Sequence, residues 1–267
     1  SSYIISVIQA TKFQRDLNDL RSQANQMKAS IPNVGASPNQ WVHSGKPVDA
    51  ALVLSMLAIG AGYHPSYNTV DGKEYVKRAF YERARRIVLQ EPEKMNLTVL
   101  KTTIHLSYYG VANNMWFSAY FWHGYNITCC RFLKIPDMDQ VGSTKKSEDQ
   151  LIADEETRRC FWKVKQSDVS AAAASKRLHY FQSSDEYFTL QLPQGHSIFN
   201  TASPSSYPNS VSLSQFFDPN YPAANNQALD PIAYESCIHF IFGRVTDLRR
   251  ESESRKIPYS DPSSPLQ

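Results

Sequence analysis

The sequence predicts an all-α protein, an irregular multi-helix bundle arranged around one buried aromatic helix. Residues 113–135 carry the first indication, because almost every position in this segment is apolar or aromatic and no Pro interrupts it. A helix that is apolar on every side is expected to be buried on every side. The second indication is that the flanking segments repeat apolar residues at steps of three and four, which is the period of an amphipathic helix.

Length and composition limit the classes of protein to consider. A chain of 267 residues can bury a substantial core, and its charges nearly balance, with 28 basic and 25 acidic residues. This balance favours neither nucleic acid nor an acidic membrane as a partner of the whole chain. Four Cys residues, two of them adjacent, provide no disulfide framework and indicate an intracellular protein. The chain lacks an initiator Met, a signal peptide and a transmembrane run, so we expect a fragment of a longer protein without membrane contact.

Residues 1–34 are predicted to contain an amphipathic helix that ends at Pro32. Its apolar positions recur at alternating steps of four and three, with polar residues between them. These positions are Phe13, Leu17, Leu20, Ala24, Met27 and Ile31. The apolar stripe can pack on the chain's own domain, or it can bind a partner or a second copy, because its spacing is similar to a heptad.

Three further helices are predicted before the aromatic one. Pro47 suits the first turn of a helix, and Gly60 and Gly62 suit its end. A charged helix is predicted over residues 73–90. Its basic residues are interspersed with acidic ones, which indicates a solvated face more than a phosphate-binding one. A third helix is predicted over residues 97–109, with its apolar residues on one face.

The aromatic segment itself has two interpretations. The plain one is a central core helix. The alternative is that its large aromatic residues leave gaps, so that the helix also lines a cavity for a small molecule. Trp, Tyr and His side chains combine apolar faces with donors that need partners when buried, which suits a ligand with a polar handle. The candidate ligand-binding residues are Trp116, Tyr120, Trp122, His123 and Tyr125.

Residues 155–168, EETRRCFWKVKQSD, form the most distinctive helical stretch. Acidic residues at its start oppose the helix dipole, and two aromatic residues are expected in the core. Its motif residues are Arg158, Arg159, Phe161, Trp162 and Asp168. We expect Arg158 or Arg159 to pair with an acidic group inside the bundle, for which Asp168 is one candidate.

Beyond Pro193 the sequence predicts a loop, a helix and a tail in turn. Residues 196–228 are rich in Pro, Asn and Ser and are predicted to form a loop. Residues 229–256 repeat apolar residues at steps of four and three and predict a C-terminal helix that packs on the core. The repeat is too short to predict a coiled coil. Residues 257–267 are predicted to be disordered.

Several of these segments come in an order that resembles a known family. They are the helix ending at Tyr63, the ERARRIVL helix, the pair LTVLKTTIHLSYYGVANN and MWFSAYFWHGYNITCCRFLKI, then EETRRCFW and LQLP. This order, over residues 47–195, resembles the middle homology region, or fungal-specific transcription factor domain, of the zinc binuclear cluster regulators. The resemblance implies an all-helical regulatory domain, a location in the nucleus, and a separate zinc-cluster module that binds DNA.

Two positions depart from the family pattern. The Arg that follows the Asp of the motif is Val169 in this chain, so the resemblance leaves the partner of Asp168 open. The Gly-Arg-Pro turn of the family is replaced by AAAASKRLH, residues 171–179. The conformation of this segment, which the family places near a presumed effector cavity, is therefore open as well.

The sequence contains no recognisable catalytic or metal-binding set. Cys129, Cys130, Cys160 and Cys237 lack a C-x₂-C spacing and cannot form the six-Cys zinc cluster of the family. The His residues show no i, i+4 pair, and neither a nucleophile elbow nor a P-loop is present. Asp139, two residues after another Asp, is expected to stabilise its loop and not to bind a metal. We therefore predict no catalytic residue, no metal and no cofactor in this chain.

Three functional hypotheses follow. The first is a regulatory domain of a fungal transcription factor that responds to a small-molecule effector or binds a partner, with DNA bound only through the zinc-cluster module outside this chain. The second is an adaptor or dimerisation domain, without an effector, in a complex on DNA or protein. The third, an enzyme, lacks a convergent set of acid, base and nucleophile.

The first two hypotheses differ in what the aromatic helix should contact. A cavity beside Trp116, Tyr120 and His123 favours the regulator that binds an effector. A solid core with large apolar patches on the surface favours the adaptor. A homodimer, or contact with other subunits of the transcription machinery, is compatible with both.

Overall fold

A computed structural model describes most of the chain from Pro47 onwards. The described residues are 47–63, 70–140, 146–175, 177–181, 187–195, 199, 211–220 and 229–255. The predicted amphipathic helix within residues 1–34 and the predicted tail 257–267 lie outside this part of the chain. Most of the predicted loop 196–228 lies outside it as well.

The described residues form seven α-helices and no β-strand, which confirms the predicted all-α fold. The helices are α1 (Pro47–Gly60), α2 (Val70–Gln90), α3 (Leu97–Ala112), α4 (Trp116–Phe132), α5 (Glu148–Ser175), α6 (Leu213–Phe216) and α7 (Pro231–Arg255). Short 3₁₀ segments cover Ala61–Tyr63 and Ile135–Asp137. The β-type pairing seen in these ranges is an isolated antiparallel bridge between Gln191 and Ser212. None of the described helices is both long enough and apolar enough to cross a membrane.

Helix α5 extends well beyond the distinctive stretch at residues 155–168. It begins at Glu148 and continues to Ser175, a length of 28 residues. Its last turns are an alanine run, and Ala has the highest helix propensity of all residues. The first part of the segment that departs from the family pattern, residues 171–175, is therefore helical.

The chain divides into two compact units, the first ending at Leu133 and the second beginning at Lys134. In the first unit α1 packs against α2 and α3, and α3 packs against α4. Its core consists of small residues on α1 and α2 and larger ones that fill the centre. The buried residues of this cluster are Ala51, Ala58, Tyr81, Ala84, Val88, Val99, Leu106, Tyr109 and Trp122. The Tyr81 and Tyr109 rings stack in it with centroids 4.4 Å apart.

A tight turn between α3 and α4 sets the direction of the aromatic helix. Asn114 adopts a left-handed backbone conformation with φ 55°, which Asn tolerates better than most residues. The Met115 N–H then donates to the Gly110 carbonyl at 2.8 Å. A Cβ at Gly110 would lie 3.0 Å from the backbone nitrogen of Ala119, which is closer than nearly all real Cβ contacts. The two helices therefore approach closely at this point, and Gly is favoured there.

In the second unit α5 packs against α7. Helix α7 turns its small residues inwards, including Ala233, Cys237 and Gly243. A Cβ on Gly243 would lie 3.3 Å from the Val169 side chain of α5, so the contact between these helices is close. Ile232 is buried as well, but five other large apolar residues of α7 are exposed. They are Tyr234, Ile238, Ile241, Phe242 and Val245.

Candidate functional site

Helix α4 buries one side in the first unit, not all sides. Trp122 is completely buried, and Ala119, His123 and Asn126 are almost completely buried. Trp122 meets the Tyr125 ring edge-on at 6.0 Å between centroids. This side of α4 corresponds to the core helix that the sequence predicts.

The other side of α4 is an exposed row of aromatic residues, which we call the aromatic face. It consists of Trp116, Phe117, Tyr120 and Phe121, with exposed fractions of 56%, 95%, 42% and 54%. The expectation of burial on every side is therefore wrong for this side of the helix. Among the helices of its unit, α4 packs mainly against α3, and one neighbour covers only one side of a helix.

The five candidate ligand-binding residues are divided between these two sides. Trp116 and Tyr120 belong to the exposed aromatic face, whereas Trp122 and His123 are buried and Tyr125 is half-buried. At 100° per residue, Trp116, Tyr120 and His123 follow one another along one side of α4, whereas Trp122 and Tyr125 point away from that side.

The polar atoms on the buried side already have partners inside the protein. The Trp122 indole N–H donates to the Tyr81 hydroxyl at 3.4 Å. The Tyr125 hydroxyl donates to the Pro92 carbonyl at 2.8 Å. Burial raises the pKa of Tyr125 to about 12, so this hydroxyl stays protonated and remains a donor at neutral pH.

Two buried hydrogen bonds in the first unit involve residues that the sequence analysis did not single out. The Thr103 hydroxyl of α3 donates to the Asn126 side chain of α4 at 2.6 Å. Ser55 of α1 and His105 of α3 form a side-chain hydrogen bond at 3.0 Å. Polar residues at core positions of predicted helices are the signal that could have identified them, because a buried polar group requires a partner.

The second unit contains a buried charge network at the start of the EETRRCFW motif. Glu155 and Arg159 are one helical turn apart and have fully buried side chains, with the Arg159 Nε donating to Glu155 Oε1 at 2.9 Å. The Gln194 backbone N–H donates to the same carboxylate at 2.8 Å, and the Arg159 guanidinium donates to the Gln194 carbonyl. Burial raises the pKa of Glu155, and the positive charges of Arg159 and Arg158 oppose that rise.

Arg158 connects α5 to the preceding loop. Its Nε and Nη2 donate to the two carboxylate oxygens of Asp139 at 2.9 and 2.7 Å, a bidentate arrangement. Asp139 also accepts the Gln191 N–H at 2.9 Å. The Gln191 carbonyl in turn accepts the Trp162 indole N–H at 2.9 Å. These bonds attach the segment around Gln191 to α5 through its backbone.

Asp168 pairs with Arg177, which lies in the segment that departs from the family pattern. It accepts from the Arg177 guanidinium at 3.1 Å and from the backbone N–H groups of Tyr180 and Phe181 at 2.9 and 3.2 Å. The described charged partner of Asp168 is thus Arg177, and not Arg158 or Arg159. Arg177 provides a positive charge beside Asp168, which Val169, at the position of the family's Arg, cannot provide.

The remaining motif residues, Phe161 and Trp162, lie in the core of the second unit, where both are buried. The Phe161 ring meets the Phe181 ring with centroids 5.2 Å apart. Trp162 contacts Tyr187 edge-on at 6.1 Å. The motif therefore provides both the aromatic core and the polar attachments of this unit.

The described part of the chain contains no group of three or more His, Cys, Asp or Glu residues that could hold a metal ion. All four Cys residues are buried, and none of them forms a disulfide. Burial raises the pKa of Cys129 and of Cys237 to about 12, which disfavours the thiolate that metal binding needs.

The family model described as the fungal specific transcription factor domain matches residues 8–248. The chain belongs to this family, as the resemblance in the sequence implied. It is therefore the regulatory region of a fungal transcription factor, a class of protein that is generally not enzymatic. No curated protein and no solved structure is significantly similar to the chain.

Proposed function

We propose that this regulatory region acts in the nucleus by binding a protein partner, and that DNA is bound by a zinc cluster outside this chain. The aromatic face of α4 carries the proposal. Single exposed apolar residues are common on protein surfaces, but a continuous exposed patch marks an interaction site. Trp, Tyr and Phe are also the residues enriched at the centres of protein interfaces.

A partner protein agrees with the buried side of α4 better than a small-molecule effector does. An effector site beside Trp122 and Tyr125 needs free donors, and these two donors already bond to Tyr81 and Pro92. A ligand that broke the buried contact between Trp122 and Tyr81 would leave a buried polar group unsatisfied, at a cost of about 1–3 kcal/mol.

The placement of the DNA-binding module outside this chain rests on the cysteines. The whole chain has four Cys residues, two fewer than the six of the family's zinc cluster. Those four are buried within helices and have no metal-ligand spacing. A net charge of +3 gives only weak, salt-sensitive attraction to DNA, because affinity grows with the number of phosphates that are neutralised.

A reporter assay in yeast tests this proposal. The chain is fused to a heterologous DNA-binding module, and the output of the matching promoter is compared with that of the module alone. We expect the fusion to change the output, Phe117→Ser to remove most of that change, and the chain without the module to have no effect. Tyr75→Ser is the matched control, because Tyr75 is 77% exposed on α2 and lies outside the aromatic face.

Two outcomes would contradict the proposal. Equal effects of Phe117→Ser and Tyr75→Ser would show that the aromatic face has no special role. An unfused chain that changes the output as strongly as the fusion would place a DNA-binding surface inside this chain. A fusion that leaves the output unchanged would favour the adaptor hypothesis, in which the domain assembles a complex without controlling transcription.

A further inference from the structure

We propose that the partner of the aromatic face is a second copy of this chain, bound through antiparallel packing of α4 on α4; this inference rests on the proposed function and specifies the partner. The first argument is the absence of charge. No Asp, Glu, Lys or Arg occurs between Lys101 and Arg131, a stretch that includes about two thirds of α3 and all of α4 except its last two residues. A face without charge meets its own copy without electrostatic repulsion, whereas it offers nothing to a strongly charged partner.

The second argument is the shape of the face. At 100° per residue, Phe117 and Gly124 lie seven residues apart and point in nearly the same direction, along the centre of the exposed side. Phe117 is 95% exposed and projects outwards. Gly124 has no side chain, and a Cβ at its position would have nothing within 4 Å. The exposed side of α4 therefore has the projecting Phe117 ring and a notch at Gly124 along its centre.

A projection and a notch on the same face match the symmetry of a two-fold dimer. In such a dimer, if residue i contacts residue j of the partner, then j contacts i as well. An antiparallel pair of α4 helices can place each Phe117 over the Gly124 of the other copy. The axis then passes near Tyr120 and Phe121, whose rings meet their counterparts across it.

The area of the aromatic face is sufficient for a weak dimer. With about 200 Å² for a large aromatic side chain, the exposed fractions correspond to roughly 500 Å² on each copy. Two copies would bury about 1,000 Å², which is near the lower limit of specific interfaces. We therefore expect a reversible dimer with a dissociation constant in the micromolar range.

Sedimentation velocity of the full chain over about 1–100 µM tests the inference, since this range brackets a micromolar dissociation constant. We expect the wild type to shift from monomer to dimer with rising concentration. Phe117→Asp should raise the dissociation constant by roughly tenfold or more, because it removes the central aromatic contact. Ile241→Asp, a change of similar character on the exposed side of α7, should leave the constant unchanged within about twofold, since Ile241 lies outside the aromatic face.

Gly124→Leu separates an interface effect from a folding effect. Leu favours helix more than Gly does, and its side chain enters open space in this unit. The melting temperature should therefore stay the same or rise, whereas the filled notch should raise the dissociation constant by roughly tenfold or more.

Three results would overturn the inference. They are a wild type that stays monomeric throughout, a Gly124→Leu variant that dimerises like the wild type, and a dimer that is lost with Ile241→Asp but not with Phe117→Asp. A monomeric wild type whose reporter effect still depends on Phe117 would retain the proposed function and assign the face to a different protein. A dimer that forms through the aromatic face, together with a fusion that leaves the reporter output unchanged, would support the inference and contradict the proposed function.

Discussion

Helix α4 contains almost no charge and leaves a row of aromatic side chains in solvent, whereas α5 is rich in charge and buries most of it. The exposed residues of α4 include Trp116 and Phe117, and the buried residues of α5 include Glu155, Arg159 and Asp168. The difference lies in the surroundings. The charges of α5 have guanidinium, carboxylate and backbone partners, whereas the described helices of the first unit leave the aromatic face of α4 exposed. Burial of a helix therefore depends on the partners available to it as much as on its hydropathy.

The largest expected effect comes from separating the buried charges of α5. Arg159→Met should lower the free energy of unfolding by about 3–5 kcal/mol, because the fully buried Glu155 carboxylate loses its closest charged partner and keeps only the longer contact with Arg158 at 3.4 Å. The double variant Glu155→Leu/Arg159→Met should recover much of that loss. Urea unfolding followed by tryptophan fluorescence measures both. A loss below about 1 kcal/mol for the single variant would mean that the pair is solvated, like a surface ion pair.

Trp162 of α5 and Trp116 of α4 provide a matched test of the comparison between these two helices. Trp162→Ala should destabilise the protein by about 3–5 kcal/mol, since it deletes a buried ring and its hydrogen bond to the Gln191 carbonyl. Trp116→Ala should cost less than about 1 kcal/mol, since more than half of that side chain is exposed. Thermal melts of the two variants decide. Similar losses in both would show that the outer side of α4 is covered in solution.

The smallest expected effect is the loss of folding stability at acidic pH that arises from His179. His179 is buried, its Nδ1 lies 3.3 Å from an Asp247 carboxylate oxygen, and burial lowers its pKa below the ordinary 6.5. Asp168 also favours the protonated form, whereas Lys165 and Arg250 oppose it. A base with a lowered pKa contributes stability that is complete above the unfolded value and is lost as the pH falls through the folded value.

We therefore expect the wild type to lose stability as the pH falls below about 6.5, and His179→Asn to lose less, by at most about 1.4 kcal/mol per pH unit. Urea unfolding of both proteins at each pH measures the difference. Asp247→Asn is the control for the opposing carboxylate, and it should increase the loss. Parallel pH profiles for wild type and His179→Asn would show that this ring does not titrate in the range.

The sequence was sufficient to predict the longer described helices because each has a physical signature, whereas the short α6 lies within the segment predicted to be a loop. Apolar residues at steps of three and four, Pro47 at a helix start and glycines at a helix end act locally, so they can be read without the fold. The orientation of α4 could not be predicted in this way. A helix that is apolar on all sides has no preferred direction for burial, and only the neighbouring helices decide which side is covered.

The ion pairs show a second limit of sequence reasoning. The motif indicated that Arg158 or Arg159 would pair with an acid inside the bundle; both do, Arg158 with Asp139 and Arg159 with Glu155. The pairing of Asp168 with Arg177 was not predicted, because Arg177 follows α5 in a segment without a periodic pattern. Charge alone does not select a partner when the intervening backbone is irregular.

The hydrogen bonds that attach α5 to the segment around Gln191 and Gln194 determine which substitutions that segment tolerates. Trp162 and Arg159 bond to the carbonyls of Gln191 and Gln194, and Asp139 and Glu155 accept the N–H groups of the same two residues. All four contacts are with peptide groups, which every residue except Pro provides in full. Positions 191 and 194 can therefore change their side-chain chemistry and keep these four contacts, whereas Pro at either position would remove an N–H donor and leave a buried carboxylate oxygen without it.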